Sequence, residues 1–161
     1  MEAKVDRYLF RGMKAGGSEW VYGYLWRRFF TYIKEVETDE ITNAPSGKDY
    51  LVDIRTVGQC TGISADKSYR GTDPGDLLIF EGDLFRDCFS DEYGIVRYGV
   101  YKHSDASSDY QNGGCGFYVD WSHSKKCEYH RQDLNYWAQY EIAGNIHEHR
   151  HLFEVQQDEE E

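Results

Sequence analysis

Three histidines alternate with other residues in the segment 144–152, which reads GNIHEHRHL. His147, His149 and His151 would share one face of a strand, because successive side chains of a strand point to opposite faces. Imidazole is a frequent ligand of transition metals, but the ligands of a catalytic zinc or iron usually come from separated segments. A linear H-x-H-x-H stretch is more typical of adventitious nickel or zinc binding. We therefore interpret the histidines as the polar edge of a strand, and we predict no metal and no cofactor.

Two acidic residues flank a glycine at Glu81, Gly82 and Asp83. Paired carboxylates can perform acid–base catalysis when a third polar group converges with them on a pocket, and the sequence nominates no such group. Acidic side chains in turns commonly bond backbone N–H groups instead. We interpret this stretch as a structural turn motif and predict no catalytic residue. The turn motif also includes three residues of an earlier glycine-flanked segment: Gly58, Gln59 and Gly62.

The four cysteines form no C-x-x-C pair. A zinc site built from Cys115, Cys127 and either His123 or His130 would match no standard ligand spacing. Because the N-terminal segment has no apolar stretch typical of a secretion signal, we expect a reducing compartment and free thiols.

An aromatic row precedes a pair of arginines. Trp20, Tyr22, Tyr24 and Trp26 occupy alternate positions, so one face of a predicted strand carries all four rings. The row could be a core, an oligomer interface or a stacking platform for single-stranded nucleic acid. The arginines at 27–28 support the stacking platform, whereas the net charge of −11 opposes it. We favour the core or the oligomer interface.

The elements that must position these residues are short strands. The chain of 161 residues contains 14 Tyr, and its 16 Gly punctuate brief apolar runs, as turns in a β-rich chain require. The pattern predicts a mostly β fold, either a small SH3-like barrel or a β-sandwich of short antiparallel strands, with little helix. A short helix is predicted near 132–138. Strands are predicted at 7–11, 20–26, 29–36, 77–89 with a break at 81–83, 93–101, 115–121 and 140–146.

Three blocks of sequence resemble the YopX family of phage and prophage proteins. They are FRGMKAGGSEWVYGYL (10–25), VDIRTVGQCTGISAD (52–66) running on to IFEGDLFRDCFSDEYGIVRYG (79–99), and YEIAGNIHEHRHLF (140–153). The chain departs from the family pattern in a longer linker before Glu81, in the absence of an alignable motif over 100–139, and in the histidines that follow Gly-Asn-Ile. The resemblance implies a mostly β fold in a bacterial or phage setting, and it supplies no catalytic residue.

Domain organisation is predicted to be simple. We expect one YopX-like domain over 1–157, with an N-terminal sub-region at 1–45 and a barrel core at 50–153, followed by a disordered acidic tail at 158–161. The sequence has no apolar run long enough to span a membrane. We therefore expect a cytoplasmic protein without a membrane partner.

These observations favour a non-enzymatic prophage protein that binds protein and forms a homo-oligomer. A small barrel that binds nucleic acid through the aromatic row is the alternative, disfavoured by the acidic net charge. A metal-dependent enzyme that uses His147, His149 and His151 is the least favoured hypothesis.

Overall fold

A computed structural model describes residues 7–36, 47–102, 113–126 and 131–154. The predicted acidic tail at 158–161 lies outside the described residues. Strands account for most of the described elements and helices are short, so the prediction of a mostly β fold with little helix is confirmed. In the ranges that the structure describes, neither sheet closes into a barrel.

The chain divides into two compact units, Met1–Gly62 and Ile63–Glu161. Each unit has a hydrophobic core of its own. This division does not test the prediction of one domain over 1–157, which stays a prediction.

The first unit is built on an antiparallel sheet with the strand order β4-β3-β2-β1-β5. A single bridge between Lys14 and Val52 links the ends of β1 and β4, so the sheet curls at one end. Its elements are β1 (Leu9–Met13), β2 (Trp20–Arg27), β3 (Thr31–Glu35), β4 (Asp49–Leu51), a 3₁₀ turn (Ile54–Thr56) and β5 (Gly58–Ser64), which runs into the second unit.

The aliphatic face of β2 forms the core of the first unit. Val21 packs with Ile33 and Val52, and all three side chains are buried. Gly23 lies on the same face as Val21, and a Cβ built on Gly23 would lie 1.8 Å from the carbonyl oxygen of Lys34. Only glycine therefore allows β3 to approach β2 this closely.

The second unit contains a sheet with the order β11-β10-β9-β8-β12-β6. All neighbours are antiparallel except β12 and β6. The strands of this sheet are β6 (Lys67–Ser68), β8 (Asp83–Arg86), β9 (Tyr93–Lys102), β10 (Gly113–Asp120), β11 (Arg131–Asp133) and β12 (Glu141–Asn145). Strand β7 (Leu78–Phe80) also belongs to the second unit but not to this sheet.

The described part of the second unit also contains two short helices. Helix α1 (Leu134–Trp137) falls within the predicted helical segment, which confirms that prediction, and α2 (Arg150–Glu154) was not predicted. No helix in the described ranges has the length and apolar composition needed to cross a membrane.

Two tryptophans form the centre of the second core. The rings of Trp121 and Trp137 lie 4.7 Å apart, and both residues are buried. A Cβ on Gly94 would lie 2.4 Å from the Trp121 ring, so glycine in β9 makes room for the indole. The other buried members of this core are Ala65, Ile79, Phe85, Val96, Val119, Leu134 and Ile142.

Replacing Gly23 with alanine should destabilise the protein. The new methyl group would overlap the Lys34 carbonyl, so β2 and β3 must move apart, at a cost of about 3 kcal/mol. Urea denaturation measures the free energy of unfolding. Gly17→Ala is the matched control, because its Cβ would meet no atom closer than 3.8 Å. Equal stability of the two variants would contradict this account of the sheet.

Candidate functional site

The aromatic row lies on the outer face of β2. The aliphatic face is buried in the core, and the rings therefore point away from it. Tyr22 is 36% exposed and Trp26 is 39% exposed, whereas Trp20 and Tyr24 are half-buried. The row is thus not the core of this unit, which leaves the interface and the stacking platform as its possible roles.

Neighbouring strands hold the exposed end of the row in place. Trp26 stacks on Tyr32 with 4.5 Å between ring centroids. The indole Nε1–H of Trp26 donates to Asp49, which also pairs with Lys34 at 3.1 Å. The bond from Trp26 lowers the pKa of the Asp49 carboxyl, and Lys34 adds to that effect. Trp26 is therefore a fixed part of the surface.

The turn after β2 exposes two further aromatic rings. The sequence predicted a strand over 29–36, but β3 begins only at Thr31, so Phe29 and Phe30 lie in the turn. The prediction was wrong at this end because the backbone reverses there, with the Arg28 N–H donating to the Phe30 carbonyl at 3.1 Å. We call residues 27–30 the hairpin tip.

The hairpin tip carries exposed aromatic rings and basic side chains. Phe29 is 85% exposed and Phe30 is 63% exposed. In the described part of the chain, neither Arg27 nor Arg28 forms an ion pair, and the Arg28 guanidinium lies 5.6 Å from the Phe29 ring centre. The tip therefore combines exposed aromatic area with two exposed arginine side chains.

Beside the tip lies an open pocket of about 270 Å³. We call it the tip pocket; it lies entirely within the first unit. Its walls are mostly apolar, and the lining residues are Ala15, Arg27, Phe29, Phe30, Thr31, Leu51, Val52 and Ile54.

Sequence reasoning missed the tip and the pocket. Adjacent phenylalanines were a usable signal, because two successive residues of a strand cannot share the buried face. Leu51 and Ile54 gave no such signal, since their contribution depends on the fold bringing β4 beside the turn.

The two predicted turn segments contain backbone shapes that favour glycine. Gly62 has φ +79° and Gly82 has φ +86°. The Gln59 side chain donates to the Arg7 carbonyl at 3.0 Å, and Gly58 pairs with Arg11 across β1 and β5.

Asp83 is the buried acid of the turn motif. Its side chain has no solvent exposure, it accepts the Phe80 N–H at 2.8 Å, and it pairs with the Arg70 guanidinium at 3.0 Å. Arg70 also donates to the carbonyl of Asp76. Glu81 is half-buried. This arrangement ties the 70–78 segment to the start of β8.

The predicted strand does not continue through the histidines. Strand β12 ends at Asn145, whose Oδ1 accepts the N–H groups of His147 and Glu148 at 2.9 and 3.0 Å. The amide side chain thus completes a turn that a strand would exclude. The three histidines consequently do not alternate along one strand face, and His151 lies in α2.

His149 packs inward at this turn. Its Nδ1 accepts the Asn145 N–H at 3.2 Å, and its ring meets Tyr69 edge-on at 4.8 Å between centroids. A Cβ on Gly144 would lie 2.8 Å from the His149 ring, so the glycine makes room for the imidazole. His147 is half-buried and His151 is exposed.

A hydrogen-bonded cluster surrounds the buried Asn145. The Asn145 amide donates to the Tyr69 hydroxyl at 2.6 Å and also to Glu148, while the Tyr69 hydroxyl donates to Glu148 at 2.8 Å. Burial, reinforced by the bond to Glu148, raises the pKa of Tyr69. The hydroxyl therefore remains a donor at neutral pH. These polar groups bond to one another and stabilise the turn.

In the ranges that the structure describes, no three His, Cys, Asp or Glu side chains converge as metal ligands. The earlier candidates Cys127 and His130 lie outside the described residues. Cys60, Cys88 and Cys115 are free thiols, the first buried and the other two exposed.

Asp83→Ala should lower the free energy of unfolding by about 3–5 kcal/mol, because it leaves the nearly buried Arg70 charge and the Phe80 N–H without this acceptor. Thermal and urea denaturation measure the loss. Arg97→Gln is the control; it removes a half-exposed partner 3.6 Å from Asp120 and should cost less than about 1 kcal/mol. A stable Asp83→Ala protein would refute the structural role of this acid.

Comparison with known proteins identifies a family. The family described as YopX protein matches residues 9–154, which is nearly the whole chain. No curated protein and no solved structure matches the chain. The matched range includes the aromatic row, the turn motif and the Asn145 turn. This chain belongs to the YopX family.

Proposed function

We propose that this YopX-family protein is a non-enzymatic phage or prophage β module that acts by binding protein, and that it binds copies of itself. The exposed apolar surface at the hairpin tip carries the proposal. Contiguous exposed apolar area is unfavourable in water, and in folded proteins it commonly marks an interaction site.

The composition of the tip supports a protein partner. Aromatic and arginine side chains dominate the energetically important positions of protein interfaces. Phe29 and Phe30 expose most of their surface, and burying one such ring contributes about 1.5–3 kcal/mol. Two rings together would support an interaction without any movement of the sheet.

The polar cluster in the second unit supports a structural rather than a chemical role. Asp83 bonds to Arg70 and a backbone N–H, and Asn145 bonds to Tyr69 and to the turn that follows it. A catalytic acid or base needs a proton partner on a substrate, and these groups are occupied within the fold.

One observation favours nucleic-acid binding as a second candidate. Residues 1–62 contain nine Lys or Arg and nine Asp or Glu, so the first unit has no net charge. The acidic net charge of the whole chain should repel nucleic-acid phosphates. That charge does not come from the first unit, which carries Trp26 and Tyr22. Exposed rings beside an arginine pair are also typical of single-strand binding.

Self-association should depend on the hairpin tip. Sedimentation velocity of the full chain from low to high micromolar concentration should show a rising mass, and the double variant Phe29→Ser, Phe30→Ser should remain monomeric because it removes the apolar contact. Val100→Ser, which removes an exposed apolar side chain of the second unit, is the control and should associate as the parent does. A parent protein that stays monomeric at high micromolar concentration would disprove self-association.

Nucleic-acid binding is tested separately. Fluorescence anisotropy of labelled single-stranded DNA and RNA at low salt should show no binding if the tip serves protein association alone. Salt-sensitive binding that Trp26→Ala weakens would establish the second candidate instead.

A further inference from the structure

The second unit presents one aromatic ring almost entirely to water. Phe89 is 92% exposed, in the turn between β8 and β9. A single exposed apolar side chain is normal on a protein surface and does not identify a site by itself. The turn that carries Phe89 is, in addition, fixed by several hydrogen bonds.

Asp87 organises this turn. Its buried carboxylate accepts the Ser90 N–H at 3.0 Å and the Ser90 hydroxyl at 2.6 Å. Its backbone N–H donates to the Glu92 carbonyl, and its carbonyl accepts the Asp91 N–H, both at 2.9 Å. The backbone that carries Phe89 is therefore fixed in a closed turn, and a preorganised backbone loses little conformational freedom on binding.

The tip pocket has the size and lining to accept such a ring. An apolar cavity of about 150 Å³ is enough to hold benzene in another protein, and the tip pocket offers about 270 Å³ between Phe29, Phe30, Leu51 and Ile54. A phenyl ring could stack on or meet the edges of the two phenylalanines, as aromatic pairs prefer.

Charge favours contact between unlike units of two copies. Residues 63–161 contain nine Lys or Arg and twenty Asp or Glu, so the second unit carries the entire net charge of −11. The exposed Arg27 and Arg28 stand beside the tip pocket of the neutral first unit. Two tips facing each other would bring four arginines together, and two second units would repel each other, whereas a tip facing a second unit pairs opposite charge.

We propose that Phe89 of one copy inserts into the tip pocket of another copy. The proposal rests on the proposed self-association and names its two surfaces. The two copies contribute different patches to this contact, Phe89 from one copy and the tip pocket from the other.

Complementation between two variants tests the contact. Phe89→Ser lacks the ring but keeps the pocket, and Phe29→Ser, Phe30→Ser lacks the pocket walls but keeps Phe89. Each variant alone should self-associate at least about 30-fold more weakly than the parent, the effect of losing an interface anchor. An equimolar mixture should form a complex of twice the 18.9 kDa monomer mass and stop there. Light scattering after size exclusion measures these masses, and circular dichroism checks that each variant is folded.

The triple variant Phe29→Ser, Phe30→Ser, Phe89→Ser is the matched control and should form no complex with either partner. If Phe89→Ser associates as strongly as the parent while the pocket variant does not, self-association stands and the Phe89 contact is wrong. If both variants are monomeric and their mixture also stays monomeric, the contact is again wrong. A monomeric parent removes both this contact and the proposed self-association.

Discussion

The close approach of β3 to β2 at Gly23 constrains the sheet on which the first unit is built. No side chain fits between Gly23 and the Lys34 carbonyl, and Gly23 shares its face of β2 with Val21, which is buried in the core. Alternation then places Trp20, Tyr22, Tyr24 and Trp26 on the outer face. Tyr22 and Trp26 are the exposed members of this row, whereas Trp20 and Tyr24 are half-buried.

The two units expose different surfaces. The first unit has no net charge and presents aromatic rings with an arginine pair, while the second unit carries the acidic excess. Polar groups of the second unit are largely committed to internal bonds around Asp83 and Asn145. Binding through the first unit is consistent with this distribution, because desolvating an apolar tip is favourable and desolvating a bonded polar cluster is costly.

Local patterns predicted the strands well where a single periodicity applied. The alternation over 20–26 gave β2, and Gly82 gave the break between β7 and β8. The prediction for the histidine segment was wrong because it extended the strand past Asn145. The amide side chain of Asn145 closes a turn there. Its stabilising partner Tyr69 lies 76 residues earlier in the chain, and no local pattern carries that information.

The candidate site was predictable only in part for the same reason. The aromatic row was visible in the sequence, but the tip pocket requires β4 to lie beside the β2–β3 turn. The charge difference between the units could be counted only once Gly62 was known to end the first unit. Surface features that depend on residues distant in sequence, such as the tip pocket, can therefore be identified only from the fold.

Hydrogen exchange at the hairpin tip tests the central claim most directly. Exchange of the backbone amides in residues 27–31 should slow as the protein concentration rises from low to high micromolar, because a second copy covers the tip. Amides of the buried strand β8 report whether overall stability changes over the same range. Exchange at the tip that is independent of concentration, with β8 unchanged, would contradict the account.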